Sequence, residues 1–344
     1  MQTQLNELKN LTDELTGIKL IWVNSCEEIS EKWKTPTDLM QKIMNKFDGI
    51  IADLTATPGD KTIANELQQM ALEHYINTFN PWAVYARNYK ANTQVPQFIL
   101  NNHDAGIIGK HNIKYGGKKR EIKTTNLLPT PFVGNVKTAR FVMLLKNPGL
   151  DYPQDSKRIN QHPWTQTILD NLQMPTTYNN GFVFLRTDYP QIVCNPQDKG
   201  QIWWNRNITN VKNGLNQVSG ACGPVHAWVA DIELVPYASE IFGSPDDNDN
   251  IALITGLSSW FFTRCLIRYV MGRGIPIYTR SGMVDFIPEL HQYKIGGSHP
   301  YSGRLFTNKN PQCASVSAGN VKQVNGNENP LDSFEKLKSY IKTV

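Results

Sequence analysis

After Lys146, the residues Asn147, Pro148 and Gly149 follow the uninterrupted apolar run Phe141-Val142-Met143-Leu144-Leu145. Such a run is the pattern of a parallel strand covered on both faces, and open α/β sheets bind ligands where strands of that kind end. The Asn147 side-chain amide is therefore expected where chemistry is usually done. An amide there can donate and accept hydrogen bonds but cannot accept a proton as a base does. Asn-Pro-Gly is also an ordinary turn signal, and the turn-only reading stands beside the chemical one.

Three other stretches bear on the choice. Upstream lies Leu128-Pro129-Thr130-Pro131-Phe132-Val133-Gly134-Asn135. Downstream come Trp228-Val229-Ala230-Asp231-Ile232-Glu233-Leu234-Val235-Pro236-Tyr237, then Leu305-Phe306-Thr307-Asn308-Lys309-Asn310-Pro311 with Ser315 and Ser317 beyond. In this order, over roughly residues 126–330, the chain resembles the uracil-DNA glycosylase superfamily, and its Asn-Pro-Gly is that of the mismatch-specific and thymine-DNA glycosylase branches. Gln312 departs from the serine usual there.

The resemblance implies hydrolysis of the bond between a flipped-out base and its sugar, leaving an abasic site. Asn147 would orient the attacking water, Pro148 and Gly149 would line the base pocket, and Glu233 would read the base edge. Asn310, where the uracil enzymes use histidine, would donate to the base oxygen as negative charge gathers. Ser315 and Ser317 would hold backbone phosphates. The fast uracil enzymes carry aspartate at the position of Asn147. Asp151 would supply a base if its loop folds back, and the other reading is a solvated loop residue.

Two departures bear on the substrate. The family position matched by Glu233 is usually asparagine, which suits uracil, whereas a carboxylate accepts from the exocyclic amino group of cytosine. If burial raises its pKa, the neutral acid also donates to the ring nitrogen and helps a poor leaving group depart. The alternative is a register error, with Asp231 or Glu233 in a strand-end salt bridge. Gly149 replaces the tyrosine that closes the pocket beside carbon 5 in strict uracil enzymes, so bulky 5-substituents become possible. Together these point to a 5-modified cytosine, such as the hydroxymethylated or glucosylated cytosines of some viral DNAs, and to antiviral defence. The competing readings are a uracil or mismatch repair glycosylase, a non-catalytic module that binds modified DNA, and an unrelated α/β enzyme for small molecules.

Stacking on the flipped base is assigned to Tyr152, Trp164 or Tyr237, with core packing as the alternative for each. Trp203-Trp204-Asn205-Arg206 reads as exposed, for insertion into DNA or stacking on single strands, or else as a buried hairpin.

Composition is compatible with this. The chain has 344 residues, 40% of them hydrophobic, and a formal net charge of +5, which suits a nucleic-acid binder only if the charge is local. No apolar stretch is long enough to span a bilayer, and Met1-Gln2-Thr3-Gln4 is not the start of a signal peptide. A cytoplasmic protein is expected. Five scattered cysteines and seven dispersed histidines give no metal-ligand spacing. No phosphate-cradling glycine loop is present, so neither a metal nor a nucleotide cofactor is expected.

The elements that must position these residues are expected as follows. Residues 126–344 should form a three-layer αβα unit around a central, mostly parallel sheet. Helices are expected at Thr165–Leu172 and Ser258–Met271, the latter ending at Gly272 and Gly274, with a strand at Ile275–Tyr278 and an apolar segment at Phe182–Leu185. Residues 1–125 read as an accessory α/β or helical region, with elements at Asn6–Leu15, Ile18–Val23, Thr37–Phe47, Ile50–Ala52 and Thr62–Asn77. It ends in a polar stretch, Gly106–Thr125, read either as a mobile DNA-contacting segment through Lys118, Lys119 and Arg120 or as a solvated linker.

Overall fold

The computed structural model describes residues 73, 76–77, 80–90, 98–149, 162–174, 181–185, 199–216, 224–244, 247–280, 282–294, 302–310 and 312–344. The elements expected before residue 73 lie outside that set. The described helices are α1 (Pro81–Lys90), α2 (Asn102–Tyr115), α3 (His162–Leu172), α4 (Lys199–Asn216), the one-turn α5 (Val225–Trp228), α6 (Asn248–Gly256), α7 (Trp260–Gly272), α8 (Met283–Phe286), α9 (Pro288–Lys294) and α10 (Pro330–Thr343). The strands are β1 (Phe132–Val133), β2 (Phe141–Leu145), β3 (Val229–Glu233), β4 (Ile277–Thr279), β5 (Leu305–Asn308) and β6 (Val321–Gln323).

These strands form one sheet in the order β1-β3-β2-β4-β5-β6, with β3, β2, β4 and β5 parallel and β1 and β6 antiparallel at the edges. All five residues of β2 are buried, as a strand covered on both faces must be. In register, Phe141, Met143 and Leu145 share one face with Val229, Asp231 and Glu233; Val142 and Leu144 share the other with Ala230 and Ile232. The ring of Phe306 against Tyr340 sets α10 on the first face, and Phe132 against Phe262 sets α7 on the second. The result is a three-layer α/β fold.

β2 leads to β3 on one side, and the chain then crosses back to β4 on the other. Neighbouring strands whose connections leave in opposite directions open a crevice at their carboxyl ends. By strand order that switch point falls between β2 and β4, beside Asn147.

One strand limit differs from expectation for a local reason, and the apolar segment takes a definite form. Gly274 adopts φ +68, and the Gly274 and Ile275 amides close α7 by donating to Met271 and Val270. Pro276 has no amide hydrogen, so β4 starts at Ile277 rather than Ile275. Val183–Leu185 is a single 3-10 turn.

The stretch Gly106–Thr125, read as either a DNA-contacting segment or a solvated linker, forms most of α2 and a hydrogen-bonded turn. Asn101 caps α2 by accepting from the Asp104 amide, and the buried face runs Asp104, Ile108, His111, Tyr115 at helical spacing. Asp104 accepts from the Ser258 amide (2.8 Å) and from the Tyr237 hydroxyl (2.9 Å), which ties α2 to the start of α7 and to the exit of β3. Asn112 holds Ile122 through both its amide groups, and Lys123 bridges to Ala238. Trp82 of α1 lies edge-on to Tyr237.

Among the described residues no single helix is long and apolar enough to cross a membrane; α6 and α7 together pass that test only across an 86° bend.

Asp104→Ala is expected to destabilise the protein by about 1–3 kcal/mol, because it leaves the buried Ser258 amide and Tyr237 hydroxyl unpaired. Urea unfolding monitored by tryptophan fluorescence checks this; an unchanged midpoint would mean that α2 docks by other contacts.

Candidate active site

Asn147 stands two residues beyond β2, half-buried. Its Nδ2 donates to Ser239 Oγ (2.9 Å), the Pro148 carbonyl (3.1 Å) and the Tyr237 carbonyl (3.3 Å). Carbonyl oxygens only accept, so the nitrogen must face this group and Oδ1 must be turned away from it. Oδ1 has no partner among the described residues. A carboxylate at this position would set an oxygen against two carbonyl oxygens, which explains why an amide occupies it.

The pairing of β2 with β3 continues past both strands. Leu234 and Val235 donate to Leu145 and Lys146, and Ser239 donates to Pro148. The loop carrying Asn147 is thus fastened along the exit of β3. Gly149 forms an isolated bridge to Ser239, is exposed, and has no described atom within 4 Å of where a Cβ would stand. Its φ lies outside the left-handed range, so the backbone does not require glycine.

Glu233 ends β3, directly across from Leu145 of β2, which places it one strand spacing, about 4.8 Å, to the side of the residue pair leading into Asn147. It is 4% exposed, and its Oε2 has no hydrogen-bond partner among the described residues. Asp231, 2% exposed, lies on the same face and accepts from the Val133 amide of β1. Burial pushes both carboxyls well above the usual carboxylate range, and for Glu233 the neighbouring Asp231 adds to the effect. A strand-end salt bridge, the alternative drawn from sequence, does not form with any described cation. Two such carboxyls side by side cannot both ionise cheaply; the Val133 amide favours charge on Asp231, so Glu233 is the better proton holder.

Asn310 is exposed, two residues past β5. Its backbone is held by Asn320 and Asn308, and its Oδ1 accepts from the Gln312 amide, leaving Nδ2 as a donor with no described partner. In the same loop the carbonyl of Ser315 accepts from Tyr278 and Asn320, and that of Ser317 from Asn320 and Val321. Both seryl side chains are half-buried, and their hydroxyls have no described partner. The structure thus sets Asn147, Glu233 and Asn310 at the carboxyl ends of β2, β3 and β5. β5 is two strand spacings, about 10 Å, from β2.

Other expected site residues are placed elsewhere or used differently. Tyr237 is buried, and its hydroxyl donates to Asp104 and accepts from the Leu100 amide, so the ring belongs to the core and offers no face to a base. Trp164 packs on Phe184 and Trp204 on Phe182, both buried; the Trp203-Trp204 pair lies within α4 rather than on an exposed loop or hairpin. Arg120 stacks 4.2 Å over the Tyr115 ring and donates to Asp247 and Asn250, so its charge is already matched. Lys118 and Lys119 are exposed. Asp151 and Tyr152 lie outside the described residues.

The sequence reading missed Ser239, which no motif marks and whose partner is 92 positions away. Among the described residues no group of three or more His, Cys, Asp and Glu could hold a metal ion.

The raised carboxyls have a stability consequence. A group whose folded pKa exceeds its unfolded value gives stability that is full below the unfolded pKa, about 4.3 for Glu, and is lost as pH rises through the folded pKa. Glu233→Gln should therefore leave the melting temperature nearly unchanged near the unfolded pKa and raise it at alkaline pH. Parallel melting curves for parent and variant across that range would show that Glu233 is not a buried proton holder.

No family model, curated protein or solved structure matches this chain. Its functional assignment rests on its own residues and their placement.

Proposed function

We propose that this chain is a DNA glycosylase that flips a 5-modified cytosine out of the helix, such as hydroxymethylated or glucosylated cytosine in viral DNA, and excises it by hydrolysis. Antiviral defence in the cytoplasm is the role this substrate implies. The observation that carries the reading is Glu233. A buried carboxyl oxygen without a partner is costly, and such groups cluster where a ligand supplies the missing bond.

Held neutral, Glu233 offers one donor and one acceptor. Cytosine presents a ring nitrogen that takes a proton and an amino group that gives one, so the two edges match. A proton shared with the ring nitrogen draws electrons from the glycosidic bond and eases the departure of a poor leaving group. Asn147 Oδ1 would accept from the water that adds to the sugar carbon, and Asn310 Nδ2 would donate to the base oxygen. Lys118 and Lys119 are the remaining candidates of the basic stretch for phosphate contact.

The test is incubation with matched DNAs carrying cytosine, hydroxymethylcytosine, glucosylated hydroxymethylcytosine or uracil, followed by alkali and a gel. Strand breaks at the modified cytosines are expected. Asn147→Ala should lower their rate on the order of 10²–10³-fold with DNA binding kept. Glu233→Asn should penalise the cytosine derivatives relative to uracil by roughly 1–3 kcal/mol, since an amide cannot share a proton with the ring nitrogen. Tight binding without breaks would favour a binding module, and neither binding nor breaks a small-molecule enzyme.

Gly149 supplies a separate check. Because its backbone tolerates a side chain, Gly149→Tyr should fold normally and obstruct sugar-bearing bases far more than unsubstituted ones, the cost of overpacking being about 1–3 kcal/mol. Equal losses for hydrogen, hydroxymethyl and sugar at carbon 5 would remove the argument for a bulky base.

A further inference from the structure

Ser239 is 1% exposed and is the shortest of the contacts made by the Asn147 amide nitrogen, at 2.9 Å against 3.1 and 3.3 Å for the two carbonyls. Its backbone is fixed by the pairing with Gly149, in which the Ser239 amide donates to the Pro148 carbonyl, so its Cβ is held beside the Asn147 amide. The Pro148 and Tyr237 carbonyls, which only accept, choose between the two orientations of the amide, and the Ser239 hydroxyl adds the shortest bond to the nitrogen they select. We propose that Ser239 is a positioning residue for Asn147, which restrains the amide in the orientation the two carbonyls choose and so steadies Oδ1 toward the attacking water.

This rests on the glycosylase reading, since the water is that of base excision. Ser239 touches neither water nor base in the proposal; it acts through Asn147. Loss of one neutral hydrogen bond should cost about 5–10-fold in rate.

The experiment is a double-mutant cycle on single-turnover excision of glucosylated hydroxymethylcytosine, with parent, Ser239→Ala, Asn147→Ala and the double variant. Ser239→Ala is expected to slow excision about 5–10-fold with unchanged DNA affinity, and to have no effect once Asn147→Ala is present. Ser239→Cys, nearly isosteric but a weak acceptor, should behave like Ser239→Ala. Equal losses with and without Asn147→Ala, or full activity of Ser239→Cys, would overturn the proposal. A second readout needs no activity: side-chain amide hydrogen exchange of Asn147 should accelerate in Ser239→Ala, and unchanged exchange would also overturn it. If the parent excises no base while exchange accelerates, the glycosylase reading falls and Ser239 keeps only its hold on the amide.

Discussion

Strand β2 is buried on both faces and hydrogen-bonded on both sides, by β3 and β4, and this constraint shapes what surrounds it. A strand so enclosed has its backbone groups satisfied by its neighbours and its side chains committed to packing. It can present polar chemistry only where it leaves the sheet. At that exit the chain must satisfy new carbonyls, and it does so by extending the pairing with β3 through Leu234, Val235 and Ser239. Asn147 completes the seam, its nitrogen gathered by a hydroxyl and two carbonyls. The fixed orientation of its oxygen follows from packing requirements that precede any ligand.

Asp231 and Glu233 work against the sheet that contains them. Two carboxyls on one face of a buried strand are destabilising, and of the two only Asp231 has a described hydrogen bond to a neighbouring strand. The apolar neighbours Met143, Leu145 and Val229 on that same face are what make the cost high, since they offer the carboxyls no hydrogen bond. A local violation of good packing, tolerated at a strand's carboxyl end, is the kind expected where a site is built.

The polar interlock of α2 extends the same dependence outward. Asp104 fixes the Tyr237 hydroxyl, and the Tyr237 carbonyl is one of the acceptors at Asn147. A helix from the stretch expected to be peripheral therefore braces the candidate site through one intervening residue. Arg120 contributes by clamping Asp247 and Asn250, at the start of α6, to Tyr115 of α2, which is why its charge is spent inside the fold.

The sequence by itself determined the central strands and the residues at their ends. Phe141–Leu145 is apolar enough that only a covered sheet accommodates it, α7 shows its apolar character and its glycine stop directly, and Val229–Glu233, with two carboxyls in five residues, was legible only through the family resemblance. It did not reveal α2, because the buried face of that helix is Asp104, Ile108, His111 and Tyr115, and a mostly polar face leaves no apolar period to read. Nor did it reveal the short antiparallel edges β1 and β6, whose two and three residues carry too little pattern. The core position of Tyr237, the neutralised Arg120, the Glu233 Oε2 without a partner among the described residues and the grip of Ser239 on Asn147 were decided only by tertiary structure. Each depends on partners brought together from far along the chain, 133 positions away for Tyr237 and Asp104, and local residue preferences carry no information about such distances.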